Sequence, residues 1–564
     1  MKLIKFLLIM LLLPIVQAKT DSITLLTIGG VNDLKGGTAD IFLEIKPGKG
    51  AIFIDSFPLT KLDTQISTRF ANQVACDFLK KDCYKYDFFY TIRAKASMVG
   101  GPSAGAAITI LTIGVLSNLE LGENTVITGT INSGGLIGPV AGLEQKINAA
   151  IDKGFTKIIV PKWQSDINFS DIKVDKKTKI VKVKNLEEAL YHFSGKQFSN
   201  NDAELAISKD YSLKMEEIAN ILCERNQIIK KNMTASNESL FIFADNFLNL
   251  SKDSDSERNY YSKASYCFSA SLKFRTLEYT NKSQEELKKI FNETILELES
   301  FNSLINEIEI ISLNDLETFM IVKERLIDAK NYVDDINVEN ISYSLLAYAK
   351  ERLFSAVAWS KFFDLEGQKI ELNDEHLRNV CLRKTAEAEE RINYAELYLP
   401  GFLESVKKEV LEAFDNYNQE EFAICIFKAS KAKAEANILL TALTTHQDDL
   451  ENVLEEKFEA IKKILLEQEK KNVFPLLGYS YYEYAKTLIE YDTSSSLTFA
   501  EYALELGRLD LYFPKKRTVW INFDIESLKL FFFGLIIGAS LVILFKLKNP
   551  GRFQEYRNLP GKKR

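Results

Sequence analysis

Histidine is scarce in this chain. The 564 residues contain only three, His192, His376 and His446, and none of them falls between positions 19 and 161. A Ser-His-Asp triad requires a histidine as its general base. The sequence therefore excludes such a triad, and equally a histidine-rich metal site, from the first third of the chain.

Other motifs are also missing. The six cysteines form no CxxC pair, so we expect no zinc site and no other metal. No GxxxxGK[ST] phosphate-binding loop occurs, so we expect no ATP and no other cofactor to be bound. The formal net charge of −7 makes the bulk of the chain unlike a nucleic-acid-binding protein.

The two ends of the chain indicate membrane targeting. Residues 1–18 combine two lysines, an apolar run of eleven residues and a small-residue cleavage site ending at Ala18, which is typical of a signal peptide. Without cleavage the same segment would remain as an anchor. Residues 528–547 are apolar enough to predict a transmembrane helix, and the basic tail 548–564 is predicted to be cytoplasmic. The sequence thus predicts a single-pass membrane protein whose other domains are extracytoplasmic.

An extracytoplasmic location is compatible with up to three disulfides. Cys76 and Cys83 are close enough in sequence to pair locally, whereas no pairing follows for Cys223, Cys267, Cys381 and Cys425. Potential glycan acceptors begin at Asn168, Asn232, Asn237, Asn249, Asn281, Asn292 and Asn340.

Glycine and proline divide the chain into two regions. Seventeen of the 26 glycines occur at or before Gly154, and no proline occurs between Pro161 and Pro400. Short strand-like runs alternate with glycine turns and three helical segments in residues 19–196, which predicts a mixed α/β domain. Six strands are predicted, at 22–28, 40–45, 51–55, 88–92, 125–128 and 157–160.

The second region, 204–520, has long segments with apolar residues three and four positions apart, typical of amphipathic helices. Short breaks between these segments predict an all-α array of helical hairpins. The breaks are expected near 251–256, 337–339, 367–373, 400–401, 416–419, 472–475 and 492–496. No fixed repeat length is found.

One serine and one lysine suggest chemistry. Ser103 lies in a glycine-rich loop directly before an apolar helix, and Lys146 lies on the apolar face of a helix predicted to end near Lys153. Such a lysine either extends its amine to water or loses solvation and acquires a lowered pKa. A neutral amine beside a serine hydroxyl takes its proton and makes the serine a nucleophile.

Both segments resemble the proteolytic domain of the Lon protease family. Gly-Pro-Ser-Ala-Gly at 101–105 matches the serine loop of that family. The family's lysine motif is matched at Pro139, Val140, Gly142, Leu143 and Lys146. Lys146 follows Ser103 by 43 positions, as the family fold requires, and the similarity covers about residues 20–195.

The resemblance implies a Lon-type fold and peptide-bond hydrolysis by a Ser103–Lys146 dyad. It further implies that Thr128 contacts the lysine amine, and that backbone N–H groups near Pro102 and Ala104 form the oxyanion hole. Polypeptide substrates and a homo-oligomeric ring follow from the same comparison. Lon proteases unfold their substrates with an attached ATPase, and the absence of a GxxxxGK[ST] motif here predicts action without one. Three positions depart from the family pattern, namely Gly100, Thr130 and Ala141.

Two further hypotheses remain open on the sequence. One is a surface interaction protein whose protease domain is inactive and whose helices bind a partner. The other is an enzyme that cleaves its own chain between the two regions. The helical region itself is compatible with a substrate receptor, an oligomerisation collar or a spacer.

Overall fold

The computed structural model describes residues 19–29, 35–165, 172, 176–198, 205, 207–231, 238–365, 367, 369, 372–471, 473–513 and 525–548. The predicted signal segment 1–18 and the basic tail beyond residue 548 lie outside the described residues, so neither prediction is tested. Contacts divide the chain into two compact units, and the boundary between them along the chain follows Pro514.

A seven-stranded sheet forms the centre of the first region. Its strands are β1 (Lys19–Gly29), β2 (Lys35–Pro47), β3 (Ile52–Thr60), β4 (Tyr86–Val99), β5 (Thr125–Ile127), β8 (Lys157–Pro161) and β9 (Lys179–Val183). Their order in the sheet is β3-β4-β2-β1-β5-β8-β9. Strand β2 pairs antiparallel with β1 and β4, and the other neighbours are parallel. The six predicted strands are confirmed, and β9 was missed.

Four helices flank this sheet: α1 (Leu62–Phe78), α2 (Gly105–Ser117), α3 (Leu143–Asp152) and α4 (Leu186–Ser194). Helix α2 is buried on every side from Gly105 to Leu116, because nearly all its residues are apolar and it packs between α1 and the sheet. A small ribbon, β6 (Thr130–Ile131) with β7 (Ile137–Gly138), lies beside the start of α2. The predicted α/β fold of this region is confirmed.

The second region is helical, as predicted. Its helices are α5 (Lys209–Lys231), α6 (Glu238–Ser256), α7 (Tyr260–Thr280), α8 (Gln284–Asn306), α9 (Leu313–Asp334), α10 (Tyr343–Trp359), α11 (Asp374–Ala395), α12 (Glu404–Asn418), α13 (Phe422–Thr444), α14 (Leu450–Lys470), α15 (Leu476–Leu488) and α16 (Thr493–Leu506).

The break predicted near 251–256 lies a few residues later, because α6 continues to Ser256 and α7 begins at Tyr260. The Ser251 hydroxyl donates to the Leu248 carbonyl and the Ser254 hydroxyl to the Leu250 carbonyl. Serine side chains that bond backward to the helix backbone are compatible with helical structure, although the same residue type favours turns.

The helical region packs directly against the α/β region, and both belong to one compact unit. The Ser133 hydroxyl donates to the Leu504 carbonyl at 2.8 Å, and Arg508 Nη1 donates to the Ser133 carbonyl at 3.1 Å. Arg508 also forms an ion pair with Asp77 at 2.5 Å. These contacts place the end of α16 and the residues just after it against the β6–β7 turn and α1.

All six cysteines are paired in disulfides. The local Cys76–Cys83 pair is confirmed, and the other bridges are Cys223–Cys267 and Cys381–Cys425. The latter two each join two helices of the second region, α5 to α7 and α11 to α13.

The second unit contains one helix, α17 (Ile525–Lys548), at the position of the predicted transmembrane segment 528–547. No helix in the described part of the chain is long and apolar enough to cross a membrane. The structure thus supports a helix at this position and does not support the predicted span.

Candidate active site

The serine loop connects the end of β4 to helix α2. Gly101 has a φ of 96°, a backbone conformation that glycine adopts without strain. Residues Pro102–Ala104 then form a short 3-10 turn that leads directly into α2. Because the first turn of a helix leaves its N–H groups without intrahelical partners, the loop presents free backbone donors around Ser103.

The segment Thr128–Gly129 holds this loop in place. The Gly129 N–H donates to the Ser103 carbonyl at 3.0 Å, and the Ala106 N–H donates to the Gly129 carbonyl at 3.1 Å. The Thr128 hydroxyl donates to the same Ser103 carbonyl at 3.4 Å. Among the described residues this is the hydrogen bond that the Thr128 hydroxyl makes, so the structure places it on the serine loop. Its implied contact with the lysine amine remains a prediction.

The lysine turn precedes α3. Gly142 has a φ of 62°, and its carbonyl accepts the Lys146 N–H at 3.0 Å, which closes the first turn of the helix. Before the turn, the Val140 N–H donates to Gln164 Oε1 at 2.9 Å, and Gln164 Nε2 donates to the Val140 carbonyl at 2.7 Å. The turn is therefore fixed on both sides before the helix begins.

Lys146 is buried, with 1% of its surface exposed. It lies on the helix face that also carries Leu143, Ile147 and Ala150, which pack into an apolar cluster against the sheet. Burial lowers the pKa of the Lys146 amine from 10.5 to about 7. The sequence left open whether the Lys146 amine reaches water or loses its solvation, and in the structure it is buried and desolvated.

Ser103 is also buried, with 8% exposed. In the described part of the chain, no hydrogen bond joins the Ser103 hydroxyl to the Lys146 amine or to Thr128. Catalytic hydrogen bonds are often long before substrate binds. The roles assigned to these three residues from the sequence therefore remain predictions, which the burial of the lysine supports.

Tyr394 of helix α11 bridges the two motifs, a contact that no sequence pattern indicated. Its hydroxyl accepts the Ala141 N–H at 2.6 Å, and its ring carbon Cε2 lies 3.8 Å from the position that a Cβ on Gly101 would take. One side chain thus bonds to the lysine turn and lies beside the serine loop. In the sequence, this tyrosine looked like an ordinary core residue of a helix more than 200 positions away.

We expect Tyr394→Phe to lower kcat by about 10- to 100-fold, with KM little changed. The substitution removes the hydrogen bond to Ala141, which lets the lysine turn shift relative to Ser103, and a misplacement of about 1 Å costs this much. Steady-state kinetics on an unfolded polypeptide would measure it. Tyr417→Phe, a half-buried tyrosine of the same region, is the control, and an equal effect of both changes would contradict a positioning role.

Charged residues of α11 complete the wall beside the serine loop. Glu390 and Arg391 line a small cavity together with Pro102, Gly105 and Ile131. Burial raises the pKa of Glu390 to about 7, and its Oε1 has no hydrogen-bond partner in the described part of the chain. A glutamate on a charged helix is normally solvated, so periodicity alone did not reveal that this one faces the loop.

Among the described residues, no three His, Cys, Asp or Glu side chains are arranged to hold a metal ion. The site consists instead of a hydroxyl, a buried amine and backbone N–H groups. Such a set can perform nucleophilic acyl transfer.

Comparison with known proteins identifies the domain that carries this site. Residues 66–194 match the family model of the Lon protease (S16) C-terminal proteolytic domain. The Lon protease of Fervidobacterium nodosum is 30% identical over 160 residues, which are 28% of this chain and 20% of that protein. The archaeal Lon protease of Thermoplasma acidophilum is 31% identical over 114 residues, 20% of this chain and 17% of its own length.

A further relative, the Lon protease of Trichlorobacter lovleyi, is 38% identical over 92 residues, 16% of this chain and 11% of the relative. The chain thus spans a fifth or less of the length of these three proteins. The matched segments confirm the resemblance drawn from the two motifs. The chain contains a proteolytic domain of the Lon protease family.

Proposed function

We propose that this chain is an extracytoplasmic Lon-like serine endopeptidase that hydrolyses polypeptides with a Ser103–Lys146 dyad. The observation that carries the proposal is the Lys146 amine, which is buried in an apolar helix face and has a pKa of about 7. At neutral pH a large fraction of this amine is unprotonated and able to act as a base.

In the proposed reaction, Ser103 Oγ attacks the peptide carbonyl while Lys146 Nζ takes the hydroxyl proton. The tetrahedral oxyanion is stabilised by backbone N–H groups of the serine loop at Ser103 and Ala104, since Pro102 has none to donate. Lys146 then returns the proton to the leaving amine, and water hydrolyses the acyl-enzyme by the same route. Each oxyanion donor contributes on the order of 3 kcal/mol.

The three disulfides support an extracytoplasmic location, because such bonds persist in oxidising compartments. These 564 residues contain no GxxxxGK[ST] loop, so cleavage is proposed to need no ATP hydrolysis by this chain. Assembly into a ring of protomers is part of the same proposal and rests on the family resemblance alone.

Cleavage of a reduced, unfolded test protein without nucleotide tests this proposal. Because the reactive form is the neutral amine, kcat/KM is expected to rise about tenfold per pH unit below pH 7 and to level off above about pH 8. Added ATP should change nothing. A rate independent of pH between about 5.5 and 8 would contradict Lys146 as the base.

A further inference from the structure

A cavity of about 290 Å³ lies within the helical region. Its lining residues come from helices α5, α7, α9, α10, α13, α15 and α16, and none belongs to the α/β region. The cavity is therefore separate from the serine loop and the lysine turn. Its volume is many times what one water molecule needs.

Aromatic side chains form part of its wall, among them Tyr261, Trp359, Tyr481, Tyr484, Phe499 and Tyr502, and polar and charged side chains lie between them. Trp359 is 2% exposed and marks the buried end, whereas Tyr484, Phe499 and Tyr502 are half-buried and mark the side nearest solvent. These rings pack edge-to-face or tilted against one another, and exposed ring faces suit a flat or apolar group.

Two arginines at this cavity differ in how their charges are compensated. Arg352 Nη2 donates to both carboxylate oxygens of Glu324 at 3.1 and 2.8 Å, and Arg352 Nε lies 2.7 Å from Asp328 Oδ2. Two carboxylates thus neutralise Arg352. Lys431 lies at the half-buried side, where solvent reaches it.

Arg325 is 7% exposed and its hydrogen-bond partners are neutral. Its Nε donates to the Ser355 hydroxyl and its Nη1 to the Ile321 carbonyl, both at 3.1 Å, and its ion pair with Glu324 is long, at 3.9 Å. In the part of the chain described, Arg325 Nη2 donates to no protein group. Burial and the neighbouring Arg352 lower the pKa of this guanidinium, and Glu324 opposes that shift only in part. The guanidinium also lies over the Trp359 ring, 4.5 Å from its centroid.

We propose that this cavity binds an apolar or aromatic group that carries a carboxylate, with the carboxylate on Arg325 and the apolar group against the aromatic wall. Charge-assisted hydrogen bonds from a buried guanidinium to a carboxylate are strong, and the ligand supplies a carboxylate closer to Arg325 than Glu324, which lies at 3.9 Å. A polypeptide C-terminus and a small aromatic carboxylate share this chemistry. If the proposed peptidase function holds, binding of a polypeptide C-terminus would make the cavity a recognition site for the termini of substrates.

Binding to the full chain carrying Ser103→Ala tests the proposal without cleavage of the probe. The probes are a labelled decapeptide ending in phenylalanine with a free carboxylate, the same peptide with a C-terminal amide, and N-acetyl-phenylalanine. We expect the acid to bind at least about tenfold more tightly than the amide, because only the acid pairs with Arg325. Tight binding of N-acetyl-phenylalanine would show that a small aromatic carboxylate is enough to occupy the cavity. If only the acid peptide binds, the ligand is a polypeptide C-terminus.

Arg325→Met is expected to abolish the preference for the acid, whereas Lys330→Met, an exposed lysine of the same helix, should keep it. Equal binding of acid and amide to the parent chain, or binding of neither, would overturn the proposal. That comparison needs no substitution at Arg325, so it decides the matter even if the Arg325→Met variant folds poorly. Cleavage activity is measured separately, so a failed peptidase assay would leave this result interpretable.

Discussion

Ser103→Ala is expected to lower peptide hydrolysis by at least about 10³-fold, since loss of a nucleophile in a concerted serine site costs this much or more. The folded state should be little affected. The Ser103 hydroxyl makes no hydrogen bond in the described part of the chain, and the loop is held through the Ser103 carbonyl, which alanine retains.

The matched control is Ser117→Ala, at the other end of helix α2, whose hydroxyl bonds to the Ile113 carbonyl. This variant should keep wild-type kcat/KM. Thermal unfolding of both variants would show that neither change disrupts the domain. Full activity in the Ser103 variant would exclude Ser103 as the nucleophile. Absence of cleavage by the parent chain itself would instead favour an inactive protease domain that serves as an interaction module.

Lys146→Met is expected to abolish hydrolysis and, unusually for an active-site change, to stabilise the protein. In the unfolded chain the lysine is protonated below pH 10.5, whereas in the folded protein its pKa is about 7. Folding near neutral pH therefore requires the amine to lose its proton or to be buried charged. Methionine fills a similar volume at no such cost.

The sign of the pH dependence follows from these two pKa values. The destabilisation by Lys146 is complete below pH 7, at up to about 5 kcal/mol, and it declines to zero as the pH rises toward 10.5. The gain in free energy of unfolding for Lys146→Met should follow the same course in denaturant titrations. Lys153→Met, an exposed lysine just after the same helix, should show neither effect. A gain that does not change with pH would indicate that Lys146 is charged in the folded state.

The local features of the active site were predictable from the sequence because they depend on short-range chemistry. Gly101 and Gly142 permit positive φ, and Pro102 starts the helical turn, so the serine loop and the lysine turn are recognisable in a few residues each. The spacing of Leu143 and Ile147 around Lys146 placed the amine on an apolar face. Its burial then followed from the packing of that face against the sheet.

The contribution of the helical region was not predictable, because it depends on tertiary contacts between distant segments. Tyr394 reaches Ala141 and Gly101 across more than 200 positions, and Glu390 faces the serine loop although its own helix is highly charged. Hydrophobic periodicity indicates which face of a helix is buried, but not what buries it. The same limit applies to Arg325, whose environment is formed by seven different helices.

The transmembrane prediction rested on apolar composition within 528–547. Composition indicates that a helix forms there, and α17 confirms the helix. No helix in the described part of the chain is long and apolar enough to cross a membrane, so the span itself is not supported.

The most direct test of the Ser103–Lys146 dyad is labelling of the purified protein with a covalent serine-directed probe, followed by peptide mapping at several pH values. The dyad predicts that Ser103 is the labelled residue, that the labelling rate rises through about pH 7, and that Lys146→Met abolishes labelling while Lys153→Met does not. Failure to label Ser103, or equal labelling after Lys146→Met, would contradict it.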